Sequence, residues 1–215
     1  ALEQFEVGDS NMDVETSYNF SVGYSYKDGL DTLKIETYYN YIDDFIAADR
    51  DGTTTPVEGE DMQDVIFSQY NALFTGLEVS GQYAFAKIND FDIISSFMMD
   101  FLKGYRTSND KALSRIPQTK MNFGIQAINE DWDANLAYYH YFDKEFIGPF
   151  QTRTGGHSRL DFDLTRDFSF SDLSGHLMFT ASNLLDTVGR NHLESKKANV
   201  QLPGRSFMFM LKLFY

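Results

Sequence analysis

The sequence predicts an all-β membrane protein, a run of antiparallel up-and-down strands that belongs to a transmembrane β-barrel. Three observations predict it. The last nine residues, 207–215, place Phe207, Phe209, Leu211, Leu213 and Tyr215 in one alternate row and the sole charge, Lys212, in the other, which is the pattern of a strand with one face to lipid and one to water. The same period of two recurs along the whole chain. Connections between the strands alternate between tight polar turns and long loops, as in barrels with short periplasmic turns and long external loops.

Composition narrows the class. In 215 residues there is no apolar run of the ~20 that a membrane helix needs, so a helical membrane protein is excluded. Aromatic residues make up 16%, with 20 Phe and 13 Tyr, and Pro is scarce at four, which favours strands and interfacial girdles over helices. Without Cys there is neither a disulfide framework nor a thiolate metal site; oxygen, imidazole and thioether are the remaining ligand types. The net charge of −14 argues against a nucleic-acid partner. It suits cationic ligands at acidic loops, or simply keeps the chain soluble before membrane insertion. The chain opens at Ala1 without Met, basic n-region or apolar h-region, and so reads as cut from something longer.

Nine strands are predicted. The first, 14–26, sets Tyr18, Phe20, Val22, Tyr24 and Tyr26 against Ser and Asn, and Lys27-Asp28-Gly29 is a hairpin turn whose Asp-Gly pair supplies positive φ. The second, 31–47, alternates Leu33, Ile35, Thr37, Tyr39 and Tyr41 with Lys34, Glu36, Tyr38 and Asn40. Residues 49–64, with Gly52, Pro56, Gly59 and six carboxylates, break the pattern and are read as the longest external loop. The third strand, 66–85, opposes Leu77, Val79, Tyr83 and Phe85 to Glu78, Ser80 and Gln82. The fourth, 91–102, is apolar on both faces at Ile93-Ile94 and Phe97-Met98-Met99; the hairpin signals around it select strand over a short buried helix. A basic loop, 104–117, is flanked by Lys103 and carries Arg106, Lys111 and Arg115. Strands at 118–128, 132–146, 157–170, 175–185 and 207–215 complete the set, with loops at 147–156 and 186–204. An isolated set of nine would leave two edges with unpaired backbone groups in lipid, at several kcal/mol each. Residues 1–215 are therefore read as the C-terminal part of a larger barrel. Counting back from a periplasmic C-terminus then puts every short turn inside and every long loop outside.

Six stretches in order resemble the barrel of a TonB-dependent outer-membrane receptor: 5–17 leading into the first strand, 38–46 ending the second, Gly76-Leu77-Glu78, Arg115-Ile116-Pro117, Ser182-Asn183-Leu184-Leu185-Asp186, and Leu202-Pro203-Gly204-Arg205. The resemblance implies a barrel of about 22 strands with a plugged lumen, in the bacterial outer membrane, importing a metal or metal chelate such as an iron-siderophore, haem, zinc or copper. It implies as partners the protein's own plug domain, the TonB complex acting through an N-terminal motif outside this chain, outer-membrane lipid, lipopolysaccharide and the barrel assembly machinery. No resident cofactor is expected in this fragment. The run 190–197 before Pro203-Gly204-Arg205 resembles the zinc-receptor-like members, which have haem and copper relatives. The terminal row Phe207, Phe209, Leu211, Leu213 and Tyr215 is implied to be the assembly signal.

Candidate ligand residues lie in the external loops. Asp49, Asp51, Glu58, Glu60, Asp61 and Asp64 offer carboxylate oxygens for a cation, although they lack the spacing of a calcium loop and equally describe a solvated acidic segment. His192 with Glu194 joins imidazole to carboxylate, a donor pair suited to zinc or copper. His140 falls on the outward row and His176 on the inward row. Glu36, Glu78, Asp133, Asp161 and Asp163, with Lys34, Lys120 and Lys212, form a polar inner wall. Asp161 and Asp163 share one strand face and sit too near each other to flank a glycoside. No nucleophile elbow, phosphate loop or zinc-protease motif occurs, so no enzyme is read. A passive channel or secretion barrel would share the aromatic ending but not the six stretches, and a soluble β-sandwich would bury the apolar row between sheets.

Overall fold

The computed structural model describes residues 4–214 apart from Asp172 and Ser195, so the terminal Tyr215 of the predicted assembly row lies outside the described residues. Ten strands and no helix are found among them: β1 (Gln4–Val7), β2 (Thr16–Asp28), β3 (Asp31–Val57), β4 (Glu60–Ile88), β5 (Phe91–Arg106), β6 (Lys120–Ile128), β7 (Trp132–Tyr141), β8 (His157–Phe170), β9 (Leu173–Ser182) and β10 (Ser206–Phe214). From β2 to β10 they pair in sequence order, each antiparallel to its neighbours, in one sheet that is not closed.

The register carries the two predicted rows across every strand. Tyr83, Ser95, Ile125, Leu136, Phe162, Ala181 and Phe207 face one another in turn from β4 to β10. Glu36, Glu78, Asp100, Lys120, Tyr141 and His157 do the same on the opposite face, from β3 to β8. Leu33, Leu77, Val79, Phe162, Leu211 and Leu213 thus share one face, and Glu36, Glu78, Asp161 and Lys212 the other. The apolar face is bare, with Phe209 at 75% and Phe20 at 67% exposure. No water-soluble sheet leaves a row of that length uncovered, because burying a side chain of this size is worth about 1.5–3 kcal/mol.

Two expectations are corrected. Residues 49–64 are no loop: β3 runs on to Val57, turns at Glu58 and Gly59, and returns as β4 from Glu60. Both turn residues have positive φ, 51° and 90°, the two-residue turn that matches the twist of a hairpin. Thr53, Thr54 and Thr55 suit a strand, and Pro56 is tolerated because β2 ends opposite Asp43, leaving this stretch of β3 an edge. Carboxylates mislead here because a hairpin standing beyond the membrane is wet on both faces and loses its alternation. β3 and β4 hold 27 and 29 residues, where a crossing uses about 9–11. The second correction is a tenth strand. β1 pairs parallel with Gln63 to Ile66 of β4, on the side that β5 vacates after Arg106. Four residues without alternation gave no periodic signal.

A bulge in β3 decides what the hairpin presents. Between Ile42 and Phe45 the register slips by one, with Asp44 at φ 54° and its N–H donated to Asn71 Oδ1 at 3.2 Å. One extra residue exchanges the faces. Beyond it Phe45, Ala47 and Asp49 pair with Tyr70, Ser68 and Ile66 on the inner face, whereas the uninterrupted parity would have sent Asp49 to the lipid row.

Candidate functional site

The loops at one end of the sheet fold inward and are tied down by three polar clamps on an apolar seat. In the seat, Leu113 and Ile116 of the β5–β6 loop pack on Ala72, flanked by Phe45, Tyr70, Phe74 and Leu102. Gly104 admits them, since a Cβ there would lie 2.7 Å from the Ile116 side chain.

The first clamp is built on Asp49, which is 8% exposed. Its Oδ2 accepts from Arg106 Nη2 at 2.5 Å and from the Tyr70 hydroxyl at 3.1 Å, and its Oδ1 accepts from Ser114 Oγ at 3.1 Å. Arg106 also stacks on the Tyr70 ring at 3.8 Å. One carboxylate therefore joins the β3–β4 hairpin, the end of β5 and the following loop. Pairing and hydrogen bonding together are what make a charge at this depth tolerable.

The second clamp joins the loops at 142–156 and 183–205. Lys197 Nζ donates to Thr152 O at 2.6 Å, to Thr154 Oγ1 at 2.8 Å and to His192 Nδ1 at 3.1 Å, and Thr154 Oγ1 lies 2.8 Å from the same Nδ1. His192 is 2% exposed. Burial, followed by the charges of Lys197 and Lys144, pushes its pKa down to about 4, and burial lowers both lysines. An ammonium only donates, so Nδ1 is the acceptor and Nε2 carries the proton of a neutral ring. That Nε2 has no partner among the described residues.

The third clamp holds the last loop to the wall. Asn183 donates its backbone N–H to Asp161 Oδ1 at 2.9 Å and its side-chain amide to Thr187 O and Pro203 O, at 3.0 and 3.2 Å, while its Oδ1 accepts from Thr187 N at 3.1 Å. Asp186 Oδ1 accepts from Arg205 N at 3.0 Å. Both residues have positive φ, 51° and 52°, which Asn and Asp accept more readily than most. Their positions in the Asn-Leu-Leu-Asp stretch carried the resemblance, but only their position opposite Pro203 and Arg205 shows what they do.

The predicted ligand residues are dispersed by this arrangement. Asp49 is inside the first clamp. Glu58, Glu60 and Asp61 stand exposed at and beside the hairpin turn, and Asp51 lies in β3. Asp64 accepts from Thr53 Oγ1 at 2.6 Å. Glu194, exposed, accepts from Lys196 N at 3.2 Å. Among the described residues no three His, Asp or Glu side chains gather as a metal would need. His140 bonds Ser158 Oγ at 2.9 Å, and His176 Nδ1 lies 2.5 Å from Asp167 Oδ1 across the strand pair. The basic loop divides: Arg106 turns inward to Asp49, whereas Lys103 stays on the outer face between the Tyr105 and Phe146 rings, at 5.0 and 4.9 Å.

Below the clamps the inner wall is charged. Lys34 pairs with Glu36 at 3.0 Å, Lys120 with Asp100 at 2.9 Å and Arg159 with Asp161 at 2.9 Å. A hollow of about 540 Å³ opens there between Glu78, Asp100, Lys120, His157, Arg159 and Arg190.

An open antiparallel wall with an apolar outer row, a charged inner row and loops folded over one rim defines a fragment of an outer-membrane β-barrel. Residues 3–184 match the family model described as TonB dependent receptor-like, beta-barrel, and the chain belongs to that family. The family is one of receptors and transporters in the outer membrane of Gram-negative bacteria. The structure is similar to the copper transporter OprC, with TM-score 0.77 and 17% identity over 95% of this chain and 32% of that one. It is also similar to the ferric enterobactin receptor PfeA of Pseudomonas aeruginosa, TM-score 0.67 and 16% identity over 97% of this chain and 33% of the other. A third likeness is to the FrpB iron transporter of Neisseria meningitidis, TM-score 0.67 and 12% identity, covering 98% and 33%. At these identities the likeness is one of fold. The chain spans about a third of the length of each of these proteins.

Proposed function

We propose that this chain is the C-terminal portion of a receptor that captures a metal chelate on its external side and imports it with energy relayed by the TonB complex. The remaining strands, the plug domain and the TonB-binding motif belong to the rest of the polypeptide. The observation that carries the reading is the clamped cap: four external segments converge over a charged lumen and are fixed by buried side chains, a preorganised mouth. A passive channel has no need of such a cap. The capture surface comprises the exposed hairpin carboxylates Glu58, Glu60 and Asp61 with Asp64, and the loop around His192 and Glu194. A chelate is favoured over bare zinc or copper by one contact, the Lys197 ammonium on His192 Nδ1, which sets a cation where a metal would seek a lone pair. No catalytic role is assigned. Lipopolysaccharide and membrane lipid contact the outer row, and the assembly machinery reads the terminal strand.

The test is uptake and binding by the full-length protein. Titration with zinc, copper, haem and ferric chelates should give saturable binding of a chelate. Wild type should bind neither bare zinc nor bare copper, and His192→Ala should leave chelate binding within a few fold. Strong zinc or copper binding lost in His192→Ala would replace the chelate by the bare ion. Binding of none of them would defeat the metal reading and leave another nutrient, such as a glycan or vitamin.

A further inference from the structure

Between the clamps lies a cavity of about 150 Å³ whose wall includes Arg50 of β3, Ser114 and Arg115 of the β5–β6 loop, and His192, Glu194 and Lys197 of the last loop. Three of these six side chains, Arg50, Arg115 and Lys197, are cationic. Neither Arg50 nor Arg115 makes an ion pair with a described residue. His192, 2% exposed, also lines this cavity and has given Nδ1 to Lys197, which leaves its buried Nε2–H with no acceptor among the described residues. A buried donor left unmatched is uncommon and asks what matches it. A cation is excluded by the lysine and two arginines. The one carboxylate among the described lining residues, Glu194, is exposed.

We propose that this cavity binds an oxyanion, paired by the Arg50 and Arg115 guanidiniums and accepting from His192 Nε2–H. Arginine forks match the geometry of carboxylate and phosphate alike, so the anion is either a free carboxylate of a small chelate or a phosphate. The site deepens the capture reading and rests on it for its biological use, while oxyanion binding itself is measured without any metal.

Metal-free full-length receptor in detergent is titrated calorimetrically with succinate and, separately, with inorganic phosphate. Saturable binding of either is expected, the tighter of the two naming the source. Removing both guanidiniums with Arg50→Gln and Arg115→Gln should weaken it about tenfold or more, the worth of a charge-assisted pair. His192→Gln keeps an N–H donor and should retain more of the affinity than His192→Leu, which keeps none. Heat-modifiable mobility in gels checks that each variant holds its barrel. No saturable binding of either anion by wild type, or an unchanged affinity in the double arginine variant with normal mobility, overturns the site. If anion binding stands while no chelate is imported, only the transport reading falls.

Discussion

The wall and the cap of this molecule are stabilised by opposite means. In the wall each strand carries the same instruction, an apolar row and a polar row, and nine strands repeat it in register. In the cap no segment is periodic, and order comes from a few buried groups that join residues far apart in sequence: Asp49 to Arg106 and Ser114, Lys197 to Thr152, Asn183 to Pro203. A wall built by repetition tolerates the loss of one member. A cap built on single contacts does not, and so the two should fail separately.

Assembly tests the wall as a whole and should give the largest effect. Deleting Phe214 and Tyr215 from the full-length protein should sharply reduce its membrane-inserted fraction, because the terminal row is the assembly signal proposed for this chain. Unchanged heat-modifiable mobility and surface exposure would remove that role. Next is Asp49→Ala, which strands Arg106 in a part-buried site at a cost of about 3–5 kcal/mol. Hydrogen exchange should then rise in the loop 107–119 while the strands keep their protection. Exchange rising throughout would show wall and cap to be one unit.

A smaller effect discriminates the faces of the wall. Leu77→Arg, at a lipid-facing position, should cost about 2–4 kcal/mol in unfolding from bilayers, while Gln82→Arg on the inner face should be nearly silent. Equal costs would refute the assignment of rows. The mildest perturbation is acid. The folded pKa of His192, about 4, lies below the usual 6.5, so its contribution is fully present above about pH 6.5 and is lost as pH falls toward 4. Proteolysis of the loop 183–205 should accelerate over that window, and His192→Gln should flatten the response.

How much was legible follows from the same contrast. The predicted limits of β8 coincide with the observed ones because Leu160, Phe162 and Leu164 alternate with Asp161, Asp163 and Thr165 in a segment wet on one side only. The hairpin at 49–64 carries no alternation because both its faces are wet, and β1 gives no signal because it is short and held by pairing alone. His192 was noticed as a ligand type, but its ammonium partner stands five residues away on a folded loop, at no spacing that marks a contact. Asn183 was legible only as part of a resemblance.

What the sequence determined by itself is the wall: strand and face follow from a period of two, since successive side chains must point to opposite sides of a sheet. Only the tertiary structure decided where Asp49 points, because a single bulged residue at Asp44 exchanges the two faces beyond it. It also decided that Lys197 meets His192 and that Arg106 leaves the basic loop for a buried carboxylate. Such contacts are fixed by loop closure and desolvation, which act between residues distant in the chain and leave no period to read.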